Sequence, residues 1–119
     1  DRRMTDLARM TIEDRDHVRV ATVAGEVDAS NADDVKAQML SDLPNGAHGL
    51  VADLRELEYL DSSGIAVLFE VADRLDRRGQ KLAIALGPDS LIRPTLELTG
   101  VTAVAFVGST SAEAEASLT

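Results

Sequence analysis

Apolar residues recur along this chain with two different periods, and the points where the period changes mark out its elements. Ala8, Met10 and Ile12 alternate with polar neighbours, which predicts a half-buried strand. Asp16 and His17 make a turn, and Val18, Val20, Thr22 and Ala24 then alternate with Arg19, Ala21 and Val23 as a second strand. So short a connection makes the two strands antiparallel neighbours. Gly25-Glu26-Val27-Asp28 ends the second strand. Ser30 reads as an N-cap, with Asp33 and Asp34 at the positive end of a helix. Ala32, Val35, Met39 and Leu43 form its apolar stripe, and Pro44-Asn45-Gly46 stops it.

Residues 50–54, Leu-Val-Ala-Asp-Leu, are nearly continuous in apolar character, as in a strand covered on both faces. After a short linker, Asp61-Ser62-Ser63-Gly64 opens a second amphipathic helix. Its stripe is Ile65, Leu68, Phe69, Ala72 and Leu75, and Gly79 closes it. Residues 82–86 form another buried strand. Pro88 opens a third helical stretch through Ile92, Leu96 and Leu98 that ends at Gly100. Pro94 requires either a kink or a regular part that begins near it. Residues 103–107 give a last strand, and Thr110-Ser111-Ala112-Glu113 matches a capping box before a C-terminal helix. The order ββαβαβαβα predicts an α/β domain. Its central sheet has about five strands, mostly parallel, with helices packed on it.

The length of 119 residues suits one domain, taken as 1–119 with an ordered core of about 7–118. Apolar residues make up 45% and aromatics only 3%, so the core must be aliphatic. There are 12 basic and 21 acidic residues, a net charge of −9, which repels nucleic-acid phosphates and anionic membranes. The one dense basic cluster, Arg74, Arg77 and Arg78, is interrupted by Asp73 and Asp76 and reads as a mixed solvated helix face. No cysteine is present, which removes disulfides and thiolate chemistry and fits a reducing cytoplasm. No apolar run approaches the roughly 20 residues that cross a bilayer. Asp1-Arg2-Arg3-Met4 has no apolar stretch behind its charges, so no signal peptide and a cytoplasmic location are expected.

Candidate chemistry narrows quickly. Ser62 and Ser63 sit between a strand and a helix, but no glycine lies two residues before either, as a hydrolase elbow requires. His17 and His48 fall in turns, with His17 at the far end of the sheet, so neither serves as a base. Glu26, Asp28, Asp53 and Asp61 are scattered and follow no metal-ligand spacing, so no metal is expected. Lys36 and Lys81 are the only lysines and neither follows a glycine-rich phosphate loop, so no cofactor is expected. What remains is Asp61-Ser62-Ser63-Gly64 at a helix start. One reading is structural: Asp or Ser caps the helix and Gly eases a tight turn. The other makes Ser62 an exposed, modifiable hydroxyl, with free amides and the dipole of the helix start tolerating a phosphate. The added charge beside Asp61 and Asp28 would then repel a docked partner while the domain stays folded.

Four segments in this order resemble the STAS family, and within it the bacterial anti-sigma factor antagonists. They are Gly25-Glu26-Val27-Asp28, the strand 50–54, Asp61-Ser62-Ser63-Gly64 and Leu98-Thr99-Gly100-Val101. The resemblance implies a STAS-like domain over nearly the whole chain and makes Ser62 the phosphoacceptor. It makes Asp61 the supporting acid and Asp28 the loop acid that contacts a kinase. Ser63 and Gly64 match the start of the helix at the docking face, and Glu26 lies in the same loop motif. The partners it implies are an anti-sigma factor that is also a Ser protein kinase, and a phosphoserine phosphatase. The protein would be substrate and binder in stress-response partner switching, not an enzyme. A subunit of a stressosome or of a lipid or anion transporter is the alternative on the same fold. One departure is Gly64-Ile65-Ala66, where the family often has Gly-Leu-Gly.

Overall fold

The computed structural model describes Arg2–Arg3 and residues 7–119; Asp1 and residues 4–6, part of the N-terminal sequence read above, lie outside the described residues. Seven strands form one sheet: β1 (Arg2–Arg3), β2 (Ala8–Arg15), β3 (Val18–Val27), β4 (Gly49–Asp53), β5 (Leu57–Leu60), β6 (Lys81–Ala85) and β7 (Phe106–Gly108). The helices are α1 (Ala32–Leu40), α2 (Ser62–Arg77), α3 (Arg93–Thr99) and α4 (Ser111–Ala116). Strand order is β1-β2-β3-β4-β6-β7, with β5 added against the end of β3. β1, β2 and β3 pair antiparallel, and all other pairs are parallel.

The β2–β3 hairpin turns on Asp16 and His17, both with positive φ, the backbone that a tight two-residue turn demands. Beyond it, β3 lies between helices on both faces. Ala21 and Val23 join the main core with α1, α2 and α3, while Val18 and Val20 pack with Val51, Ala83, Ala85 and Ala114 beneath α4. This second, smaller layer buries residues on both sides of the strand and overrides simple alternation. The expected stripe of α1 is buried throughout. That of α2 is wider than its spacing suggests, because Val67 and Val71 are buried as well.

Several boundaries differ from the sequence reading. The sheet has two more strands than expected, because the linker before Asp61 is β5 and the N-terminus pairs as β1. The last strand begins later: Gly100, at φ +86, ends α3 and sends Val101–Ala103 into a 3-10 turn before β7. Pro94 lies in the first turn of α3, where its missing N–H costs nothing, so the regular helix starts there and not at Pro88. Leu98 belongs to no buried stripe and is 88% exposed. The N-cap of α1 is Asn31, not Ser30, whose hydroxyl instead donates to Asp28 Oδ1 at 2.6 Å. At α4, Thr110 Oγ1 accepts from Glu113 N–H at 3.1 Å as expected, but Glu113 Oε1 reaches back to the N–H of Ser109.

Arg19 is the largest polar anchor of the fold and is 3% exposed. Its guanidinium pairs with Asp14 at 2.7 Å and donates to the carbonyls of Met39, Ser41 and Asp42. One side chain of β3 thus takes up the free carbonyls at the end of α1. The basic cluster on α2 is mixed as anticipated: Arg77 pairs with Asp73, and Arg78 donates to Leu43 O and Asn45 Oδ1.

Candidate functional site

The pairing of β5 with the end of β3 builds the site. Val27 lies opposite Leu60, and Asp61 N–H donates to Val27 O at 3.3 Å, so Asp28 and Asp61 leave adjacent strand ends side by side. Gly25 permits this course. At φ +97 it carries a shift in register, and a Cβ there would lie 2.1 Å from Leu7 O.

Asp61 is the N-cap of α2, with extended backbone. Its Oδ1 accepts from Ser63 N–H at 2.8 Å and Gly64 N–H at 3.2 Å. Two amides of the helix start, expected to be free for a phosphate, are therefore already taken by Asp61. Ser62 follows at the first helical position and is exposed. Its hydroxyl makes no hydrogen bond among the described residues and faces solvent. Ala66, one turn on, is exposed on the same face. Truncating Asp61 to alanine removes both cap bonds and is expected to cost about 0.5–2 kcal/mol. Urea denaturation measures this.

Gly64 is buried, and its contribution is close packing. A Cβ there would lie 2.2 Å from Leu60 Cδ1 and 3.2 Å from Val27 Cγ1. Absence of a side chain lets α2 begin directly over the β3–β5 pair that carries the acids. Gly64→Ala is expected to cost about 1–3 kcal/mol, because Leu60 can only partly move aside. A thermal melt reads the loss.

The Glu26–Asp28 loop is fixed from inside by Asn31, which sequence reasoning missed. Asn31 is 1% exposed; its Oδ1 accepts from Asp28 N–H at 3.0 Å and its Nδ2 donates to Glu26 O at 2.9 Å. The signal available was an Asn in a turn-forming run, and Asn is a residue that closes such loops with its amide. Asp28 Oδ1 in turn accepts from the hydroxyl and the N–H of Ser30. The Ser30 hydroxyl, then its backbone N–H, hold the Asp28 carboxyl below the usual carboxylate range, so it is an anion at neutral pH. The side chain of Glu26 is exposed at the strand edge opposite Tyr59.

The two histidines stand elsewhere. Their rings stack 5.5 Å apart where His48 N–H donates to His17 O, before the first residue of β3. Ser62 lies just beyond Leu60, which pairs with the last residue of that ten-residue strand, about 30 Å away at ordinary strand rise. A Ser-His dyad is thereby ruled out for Ser62. Asp53 is tied to Arg55 at 2.8 Å and stays apart from the Asp28–Asp61 pair.

The arrangement is a free hydroxyl flanked by acids on a rigid helix start. No helix among the described residues is long and apolar enough to cross a membrane. A protein of Bordetella bronchiseptica assigned as the anti-sigma factor antagonist BtrV is 28% identical over 109 residues, covering 91% of each chain. The crystal structure of an anti-sigma factor antagonist from Mycobacterium paratuberculosis superposes with a TM-score of 0.81 at 25% identity, over 95% of each chain. The anti-sigma factor antagonist SpoIIAA in its unphosphorylated form has the same fold, with a TM-score of 0.73 at 18% identity over 89% of this chain and 92% of its own. The STAS domain family matches residues 9–114, and the chain belongs to that family.

Proposed function

We propose that this protein is an anti-sigma factor antagonist switched by phosphorylation of Ser62. In its unmodified form it binds an anti-sigma factor with Ser kinase activity, and the sigma factor is released. Transfer of the ATP γ-phosphoryl group to Ser62 Oγ ends that binding; a phosphatase restores it by hydrolysis. The nucleotide and Mg²⁺ belong to the kinase, and this chain is substrate and ligand.

The observation that carries the reading is the exposed Ser62 hydroxyl, without a partner among the described residues, beside Asp61 and Asp28 on a STAS fold. A phosphoryl group brings about −1.5 to −2 charge. Asp61 already occupies the Ser63 and Gly64 amides, so little in the helix start neutralises that charge, and it projects toward a docked partner. Asp28, Asp61, Ser63 and Glu26 form the contact face, and Gly64 sets the height of α2 above it. SpoIIAA, whose fold this chain shares, is known in unphosphorylated and phosphorylated forms.

The test is sigma release. A preformed complex of sigma factor and anti-sigma kinase from the same genome is mixed with the chain and resolved by size exclusion. Unmodified protein is expected to displace free sigma factor, and Ser62-phosphorylated protein to leave the complex intact. Failure of the unmodified chain to displace sigma from any such complex overturns the proposal.

A further inference from the structure

Along the edge strand β7, between it and α4, lies an open groove of about 570 Å³ to which Ser62 and its acids contribute nothing. Pro88 and Arg93 line it, with Phe106 and Gly108 of β7, Ser109, and Glu113 of α4. Its volume is that of a small-ligand site, and one side is open to solvent.

Arg93 is half-buried in this cavity. Its Nη2 donates to Leu86 O at 2.9 Å, and among the described residues that is the guanidinium's only hydrogen bond. Its Nε is buried with no acceptor. A guanidinium carries five N–H donors, so four have no acceptor among the described residues. No carboxylate among the described residues forms an ion pair with it. The other shielded cations are matched, Arg19 by Asp14 and Lys36 by Glu70. A shielded charge without a counter-ion is costly, and this one persists in a chain with 21 acids.

The geometry explains why the nearby acid does not serve. Glu113 Oε1 accepts from Ser109 N–H at 2.7 Å and is held there. Gly108 makes room for that contact: a Cβ on it would lie 2.9 Å from Phe106 Cε2 and 3.0 Å from Glu113 Cβ. Beside the unmatched cation, Phe106 leaves 50% of its surface open to solvent.

We propose that this cavity binds a small organic monoanion, its carboxylate on Arg93 and its apolar body against Phe106 and Pro88. The planar fork of a guanidinium matches a carboxylate. Glu113 across the cavity sets the charge, because a phosphate dianion would meet it as a like charge.

The full chain is titrated with 3-phenylpropionate and followed by ¹H–¹⁵N correlation spectra. Saturating shifts are expected at Arg93 Nε–H, Phe106, Gly108 and Ser109. The neutral 3-phenylpropanol is expected to bind at least tenfold more weakly, and phenyl phosphate at least threefold more weakly. Arg93→Met is expected to weaken 3-phenylpropionate binding at least tenfold. Glu113→Gln is expected to strengthen phenyl phosphate binding severalfold; this exposed position keeps the test decisive if Arg93→Met does not fold. Absence of saturation with 3-phenylpropionate overturns the proposal, as do equal affinity for the alcohol, unchanged affinity in Arg93→Met, tighter binding of phenyl phosphate, or no effect of Glu113→Gln.

Discussion

Arg19→Met is expected to lower the free energy of unfolding by about 2–4 kcal/mol. The magnitude follows from what the side chain touches. Three carbonyls at the end of α1 lose charged donors, and the buried Met39 O has no easy route to water. Asp14 is 45% exposed and rehydrates, which keeps the loss below that of a fully buried ion pair. For a domain of this size each kcal/mol is roughly 4 °C, so the melting temperature is expected to fall by about 8–16 °C. Asp14→Asn is the control. It leaves the buried guanidinium without its counter-ion but keeps the three carbonyl bonds, and is expected to cost about 1–2 kcal/mol, less than Arg19→Met. Paired thermal melts measure both, and a loss below about 1 kcal/mol in Arg19→Met would refute the anchoring role.

Arg19 also marks a limit of reading the sequence. It stands among the alternating residues of a strand with nothing to mark its role, yet it is 3% exposed and reaches the end of α1. Its carbonyl partners lie 20 to 23 residues away, and no local pattern announces them. The alternation of strands and helices was legible because the apolar period changes at Asp28, Asp61 and Gly79. β5 was not: Leu57-Glu58-Tyr59-Leu60 is four residues long and becomes a strand only because the bulge at Gly25 turns the end of β3 toward it. The last strand was placed too early because left-handed backbone at Gly100 winds the following residues into a turn that their apolar character does not betray. At the site, Asp61-Ser62-Ser63-Gly64 was readable as a helix start with an exposed hydroxyl. The Asn31 brace went unread although its bonds span only three and five residues, because an Asn in a turn fits several roles; the packing of Gly64 over Leu60 and Val27 was hidden, because it depends on β3 meeting β5.

Ser62→Asp is expected to weaken binding to the anti-sigma kinase by about ten- to a hundredfold, since like charges opposed across an interface cost several kcal/mol when desolvated. Ser62→Ala is expected to bind within about threefold of the unmodified chain, because the hydroxyl has no hydrogen bond among the described residues to lose. Both variants are expected to melt within about 2 °C of the parent, as Ser62 is exposed and the cap bonds of α2 are made by Asp61. Calorimetric titration and thermal melts on the same samples separate the two effects. Weak binding by Ser62→Ala would mean that the hydroxyl is an adhesive contact, and a large drop in melting temperature for Ser62→Asp would mean that charge acts by unfolding the helix start.

The most direct measurement is to incubate the chain with an anti-sigma kinase from its own genome and Mg-ATP, then locate the phosphate by tandem mass spectrometry. One phosphoryl group is expected, on Ser62, and none on the Ser62→Ala chain. A phosphate found on Ser30 or Ser63, or none at all with a kinase that binds the chain, would contradict it.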